Sequence, residues 1–257
     1  MINELLQQLE PKARRGSKAR CHLLTHGSRE EVAQRLTWLS APWGQVDTSD
    51  VWMPQGFENL KEARFGKGDI LLDSTIGKAL VDWWLAVSRS ANVPNWDIAS
   101  TCKIEGKKGL LLVEAKAYDE ELTLEQAGKR QGKKVSENSR RNRAQIGECI
   151  RQANQALSAE TQMPWSLSIE HNYQTSNRFA WAWKLTELGI PVILVYLGFL
   201  KADEMEDRGI PISDEAIWTD MVISHSSSLF PAQVWNQRGT INGQSFIPLI
   251  RTIELSL

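Results

Sequence analysis

An α/β fold built around one central sheet is the architecture this sequence predicts, and three observations carry it. Residues 97–104 and 109–117 read as two strands joined by the turn-rich string EGKKG. The apolar run IPVILVYLGFL (190–200) reads as a further buried strand, too short to span a bilayer and interrupted by Gly198. Helical periodicity occupies the segments 74–90, 139–158 and 174–188. The order helix, strand, strand, helix, helix, strand is that of an α/β protein.

The chain of 257 residues can bury a full core, so one domain over 1–257 is expected rather than two. Hydrophobic residues at 42% and charged residues at 24% are ordinary globular values and exclude a disordered tail. A formal net charge of -1 means that any nucleic-acid surface must be a local patch. Cys21, Cys102 and Cys149 are far apart and form no CxxC pair, which argues against a disulfide scaffold or a cysteine zinc site. That usage, with no apolar signal core in MINELLQQLEPKARRG, gives a cytoplasmic expectation without membrane attachment.

The first ninety residues read mainly as helices. Ser28 and Glu31 form a capping box ahead of VAQRLTWL. The helix over 74–90 places Ile76, Leu80, Trp83, Trp84 and Val87 on one stripe and is expected to stop before Pro94. After the two strands comes the polar stretch AYDEELTLEQAGKRQGKKVSENSRRNR, read as a loop. The helix over 139–158 carries Ile146, Cys149, Ile150, Ala153 and Leu157 at helical spacing, and the helix over 174–188 closes at Gly189. Pro191 leads into the buried strand, and SFIPLIRTIEL reads as a last strand. Most of the eleven tryptophans, including Trp83, Trp84, Trp181 and Trp183, fall on helices that need apolar faces, so core packing is expected of them.

The second strand ends oddly. Leu112, Glu114 and Lys116 share one of its faces, and Val113, Ala115 and Ala117 share the other. LLLV is apolar on both faces, the mark of a central strand covered on both sides. Two charges continuing such a strand are expensive if simply buried, but tolerable where it emerges into a polar cleft. Small Ala115 and Ala117 would let a helix pack closely behind. If the two strands pair as a hairpin, Asp97 meets Glu114. Two converging carboxylates with open positions suit Mg²⁺, which prefers oxygen ligands and keeps several waters. Such an ion lowers the pKa of a bound water, and a lysine beside it adds positive charge toward a phosphoryl group. A Glu-x-Lys string alone is weak; most occurrences are solvated pairs on an edge strand. The conjunction with an upstream Asp, an apolar strand, a basic loop and a helix is what carries the reading.

On PNWD (Asp97) and EAK (Glu114–Lys116) the chain resembles the PD-(D/E)xK, or restriction-endonuclease-like, nuclease superfamily. The resemblance implies an αβββαβ core over roughly 74–200, with N-terminal helical additions over 1–73 and a C-terminal extension over 201–257. It implies that Asp97, Glu114 and the carbonyl of Ala115 bind Mg²⁺ or Mn²⁺, and that Lys116 positions the attacking water. The pattern departs in having two residues between Pro94 and Asp97. No separate first strand is visible between the 74–90 helix and Asp97. An acidic residue on that helix is often found in the family; Asp73 and Asp82 both qualify. Gln145 stands where some exonuclease-like branches carry a Gln, but Cys149 replaces the tyrosine four residues on.

Between Lys129 and Arg151 eight basic side chains face two acidic ones, a local charge of +6. Lys133, Lys134, Arg140, Arg141 and Arg143, with Gln145, are the expected nucleic-acid contacts, although most charge runs are solvated surface. The expectation is therefore a Mg²⁺-dependent nuclease acting on DNA, in defence or DNA processing. The alternative is an inactive nucleic-acid- or protein-binding module of the same fold. A homodimer would serve the cutting of both strands, but no heptad or interface motif is visible. No P-loop, GxSxG or HExxH signature occurs.

Overall fold

The computed structural model describes residues 2–89, 91–123, 128 and 135–257. In chain order its elements are α1 (Ile2–Leu6), α2 (Gly16–Leu24), α3 (Arg29–Ser40), β1 (Gly44–Gln45), β2 (Trp52–Met53), α4 (Ser74–Trp84), β3 (Ile98–Ile104), β4 (Lys107–Lys116), α5 (Glu120–Thr123), α6 (Glu137–Thr161), α7 (Tyr173–Glu187), β5 (Val192–Leu200), α8 (Glu215–Ser226), β6 (Gly239–Ile241) and β7 (Gln244–Glu254). The strands form one mixed sheet of order β1-β3-β4-β5-β7-β6, with β2 also on β3. β3 and β4 are an antiparallel hairpin, whereas β4, β5 and β7 run parallel. Glu105 and Gly106 turn that hairpin with positive φ of 50° and 80°.

The sheet is covered on both faces, as the all-apolar LLLV predicts. Leu111, Val113 and Ala115 of β4, with Ala117 just beyond it, pack with Cys21 and Leu24 of α2 and Leu36 and Leu39 of α3. Leu110 and Leu112 face the other way, onto a core filled by α4, α6, α7 and α8. Trp83, Trp84 and Trp181 meet ring to ring in that second core, with Phe65 against Trp181. Burial on this scale is the main source of the fold's stability. Cys21, Cys102 and Cys149 are free and buried.

Several expectations are corrected. The first ninety residues are not mainly helical: between α3 and α4 the chain makes β1, β2 and irregular backbone. Among the described residues no strand intervenes between α4 and β3. The outer edge of β3 is instead paired by β1 and β2, which precede α4 in the sequence. Among the described residues the order within 74–200 is therefore α4, β3, β4, α5, α6, α7, β5, with two strands rather than three before the helices. The last strand expected in SFIPLIRTIEL is present as β7, which pairs along the whole of β5.

The helix read as 74–90 ends at Trp84, well before Pro94. Tertiary hydrogen bonds replace its next turn. Asn142 of α6 accepts from Val87 N at 2.7 Å and donates to Val87 O at 2.9 Å. Gln145 Nε2 and Cys149 Sγ both donate to the carbonyl of Trp83, at 2.8 Å each. An orphan carbonyl of the helix end is satisfied from α6 instead of by further winding. The capping box of Ser28 and Glu31 is present at the start of α3. Gly189 closes α7 at φ +91°, with Ile190 N donating to Leu185 O.

A loop over residues 56–68 is held against both layers. Gly66, at φ +72°, lies on Gly77 of α4 so closely that a Cβ would stand 2.2 Å from the Gly77 carbonyl. Gly56 presents its carbonyl to His22 Nδ1 at 3.0 Å. His22 is 1% exposed, and its burial holds the imidazole below its ordinary pKa, the Gly56 carbonyl opposing only in part. The unfolded chain therefore takes up a proton near pH 6.5 that the native state refuses, so stability is full above that pH and falls as pH drops below it. Thermal unfolding at pH 7.5 and 5.5 tests this. The difference in Tm is expected to shrink in His22→Asn, and an unchanged difference would exclude His22 as its source.

Candidate active site

The hairpin register answers the question posed by Glu-x-Lys. Ile98 pairs with Val113, so Asp97, one residue outward, stands across from Glu114 on the same face. Asp97 Oδ2 accepts the backbone N–H of Ala115 at 2.8 Å. The two carboxylates, the Ala115 backbone and Lys116 are therefore brought together, where β4 runs on past the start of β3 while still paired with β5.

Glu114 is 1% exposed and carries a dense set of donors. Lys116 Nζ and Gln174 Nε2 both donate to Oε1, while Arg178 Nε donates to Oε2 at 2.6 Å. Gln174 and Arg178 are four apart on α7, so one helical face delivers both. The Arg178 guanidinium also lies over the Trp96 ring, 4.8 Å from its centroid. Burial opposes the charge of Arg178, but Glu114 and Asp97 outweigh it and hold its pKa raised. Burial, and next the charge of Glu114, push the Asp97 carboxyl up to about 7, with Lys116, the Ala115 N–H and Arg178 pulling the other way.

Two further carboxylates adjoin the pair. Glu121 of α5 accepts from Ala117 N at 2.6 Å and from Ser17 Oγ at 3.0 Å, and burial raises its pKa against the pull of Lys116. Glu62 accepts from Asn95 Nδ2 at 2.8 Å and pairs with Lys18 at 2.8 Å. Burial opposes ionisation of Glu62, but Lys18 prevails and its pKa is lowered. The Cys21 thiol, buried behind Ala115, is pushed up well above its ordinary pKa by burial and then by Asp97, Glu62, Glu114 and Glu121. All four acidic groups act on the Cys21 thiol, but only Glu114 among them acts on both Asp97 and Glu121.

The acidic residues considered for the first helix do not join them. Asp73 caps α4, accepting from Thr75 N at 2.8 Å, and Asp82 pairs with Lys78 on its exposed side. Gln145 is spent on the Trp83 carbonyl, and the glutamine at the carboxylates is Gln174. Arg140 and Arg141 are exposed in the first turn of α6, while Arg143 pairs with Glu170 at 2.7 Å. Lys133 and Lys134 lie outside the described residues, as do Lys129 and Arg130 of the same basic run.

Among the described residues no group of three His, Cys, Asp or Glu side chains forms a metal cage. Mg²⁺ does not require one, because one or two carboxylates, with waters and substrate phosphates, suffice. The oxygen-only pair of Asp97 and Glu114 fits such an ion chemically. Burial, and after it the charge of Glu114, raises the Asp97 pKa, and a cation between the two carboxylates would offset both. Among the described residues no helix is long and apolar enough to cross a membrane. No protein family, curated protein or solved structure matches this chain.

Proposed function

We propose that the protein is a Mg²⁺-dependent nuclease that hydrolyses phosphodiester bonds in DNA, built on a restriction-endonuclease-like arrangement. One observation carries this reading: Asp97 and Glu114 stand across from each other on one face of an antiparallel hairpin, with Lys116 on the same strand bonded to Glu114. The parallel pairing of β4 with β5 and the flanking α4, α6 and α7 agree with it.

In this reading Asp97, Glu114 and the Ala115 carbonyl would hold the ion, which supplies charge for the phosphoryl oxygens and a water of lowered pKa. Lys116 orients that water and balances the charge that builds during attack. Gln174 and Arg178 hold the Glu114 carboxylate in one orientation. Asp97 must be ionised to serve as a ligand, so binding of the ion releases its proton.

Supercoiled plasmid and labelled oligonucleotides incubated with the protein test the proposal. Cleavage is expected with Mg²⁺ or Mn²⁺ and none in EDTA. The ion is also expected to raise Tm, since a ligand at about a hundredfold over its Kd adds roughly 2.7 kcal/mol to the native state.

A second reading is favoured by one specific feature. Both Glu114 oxygens already receive cationic or amide donors, which neutralises the carboxylate without any ion. The protein would then be a nucleic-acid-binding module of the same architecture, without chemistry. That reading requires no cleavage and no rise in Tm with Mg²⁺, and either signal excludes it.

A further inference from the structure

The basic run over 129–151 is not the only concentration of positive charge in the sequence. A groove of about 430 Å³ lies between the start of α2 and the loop over residues 60–68, and Lys18, Lys61, Arg64 and Lys67 line it together with Glu62. All four cations are exposed, in a chain whose formal net charge is -1. The single acid among them is already matched, through Lys18 and Asn95. The groove therefore carries a concentrated positive field that the composition does not require.

Its placement relative to the carboxylates is fixed by backbone. Ala63 forms an antiparallel bridge with Trp96, and Trp96 N donates to Ala63 O at 3.0 Å. The loop is thus registered on the residue immediately before Asp97. Glu62 and Arg64 flank the bridging residue, and the Gly66–Gly77 contact pins the far end of the loop on α4. On the α2 side, Ser17, next to Lys18, reaches Glu121 at 3.0 Å. The Ala63–Trp96 bridge and the Ser17–Glu121 bond tie the walls of the groove to the segments that carry the carboxylates.

We infer that this groove binds the phosphate backbone of the nucleic-acid strand whose scissile bond lies at Asp97 and Glu114. The inference rests on the nuclease reading for the position of the scissile bond, while the charge and shape of the groove are independent of it. Lysine and arginine side chains at the ends of flexible stems neutralise phosphates without reading bases, so the contacts set register and affinity rather than sequence preference. Lys61, Arg64 and Lys67 would follow successive phosphates leaving the site, with Lys18 across the groove.

The test is binding without chemistry. Fluorescence anisotropy of labelled single- and double-stranded oligonucleotides is measured in EDTA over a range of salt concentrations, for the wild type and for K61A/R64A/K67A. The triple variant is expected to bind about tenfold or more weakly at moderate salt. Its log Kd against log salt should lose roughly two units of slope on single strands, at about 0.7 per phosphate contact. Lys67 also donates to Ser88 O, so Tm is measured alongside, and K61A/R64A repeats the comparison with that contact intact. Unchanged affinity and slope in both variants overturn the inference, as does a wild type that binds no oligonucleotide. Cleavage by the wild type with Mg²⁺ separates the two claims. Weakened binding without any cleavage would keep the groove and sink the nuclease, whereas cleavage with wild-type binding in both variants would do the reverse.

Discussion

Alanine in place of Glu114 is expected to lower Tm by on the order of 10 °C, beyond any effect on catalysis. The substitution leaves Lys116 and Arg178, both nearly buried, without the carboxylate that each now contacts. Removing one partner of a buried ion pair costs about 3–5 kcal/mol, because the remaining charge stays desolvated. In a chain of this size each kcal/mol moves Tm by roughly 2–4 °C. Glu114→Gln keeps an acceptor oxygen for one of the donors and should fall between the two proteins. Differential scanning calorimetry at pH 7.5 decides. A Tm within a degree or two of wild type for the alanine variant would mean that the two cations are hydrated and that the network described here is wrong.

Lys116→Ala is expected to do the opposite: a small change in fold and a large one in rate. Glu114 retains Gln174 and Arg178, so its charge is still matched when the amine is gone. Loss of one preorganised electrostatic group at a reacting centre typically lowers turnover by about 10²–10³. Initial rates of plasmid cleavage in Mg²⁺ should drop accordingly, while oligonucleotide affinity in EDTA stays at the wild-type level. Lys116→Arg should not restore the rate, since a planar guanidinium cannot take the place of a compact ammonium. Wild-type turnover in Lys116→Ala would remove the lysine from the chemistry.

How much of this was legible in the sequence depends on how local the cause is. The β3–β4 hairpin follows from near neighbours: alternation on either side of EGKKG, and two residues at its tip that take positive φ. The same register, carried one residue outward, brings Asp97 to Glu114, so the meeting of these two carboxylates was legible too. β1 and β2 were not, because two residues hold no periodicity to detect. The premature end of α4 depends on Asn142, Gln145 and Cys149, distant residues whose side chains replace its hydrogen bonds.

Gln174 and Arg178 were missed for a related reason. On α7 the polar residues Thr175, Ser176, Asn177 and Arg178 are all buried, inverting the usual reading of polar positions as a solvated face. A Gln and an Arg four apart were the available signal, and only the position of β4 gives it meaning. Glu62 and Glu121 sit outside any regular pattern, whereas Asp73 and Asp82, the acids on the expected helix, are satisfied locally.

The parallel pairing of β4 with β5, and of β5 with β7, has a consequence for biosynthesis. β4 pairs with residues 192–198, and β5 in turn with residues 246–254, so the middle of the sheet is stitched from sequence far apart. Such distant pairings form slowly, because chain closure precedes any gain from contact. A ribosome-bound intermediate lacking α7 cannot dock Gln174 and Arg178 onto Glu114, and one lacking β7 leaves an apolar β5 margin open to aggregation. Assembly of the carboxylate centre is therefore a late event, and chaperone demand should be concentrated in the interval before residues 244–254 emerge.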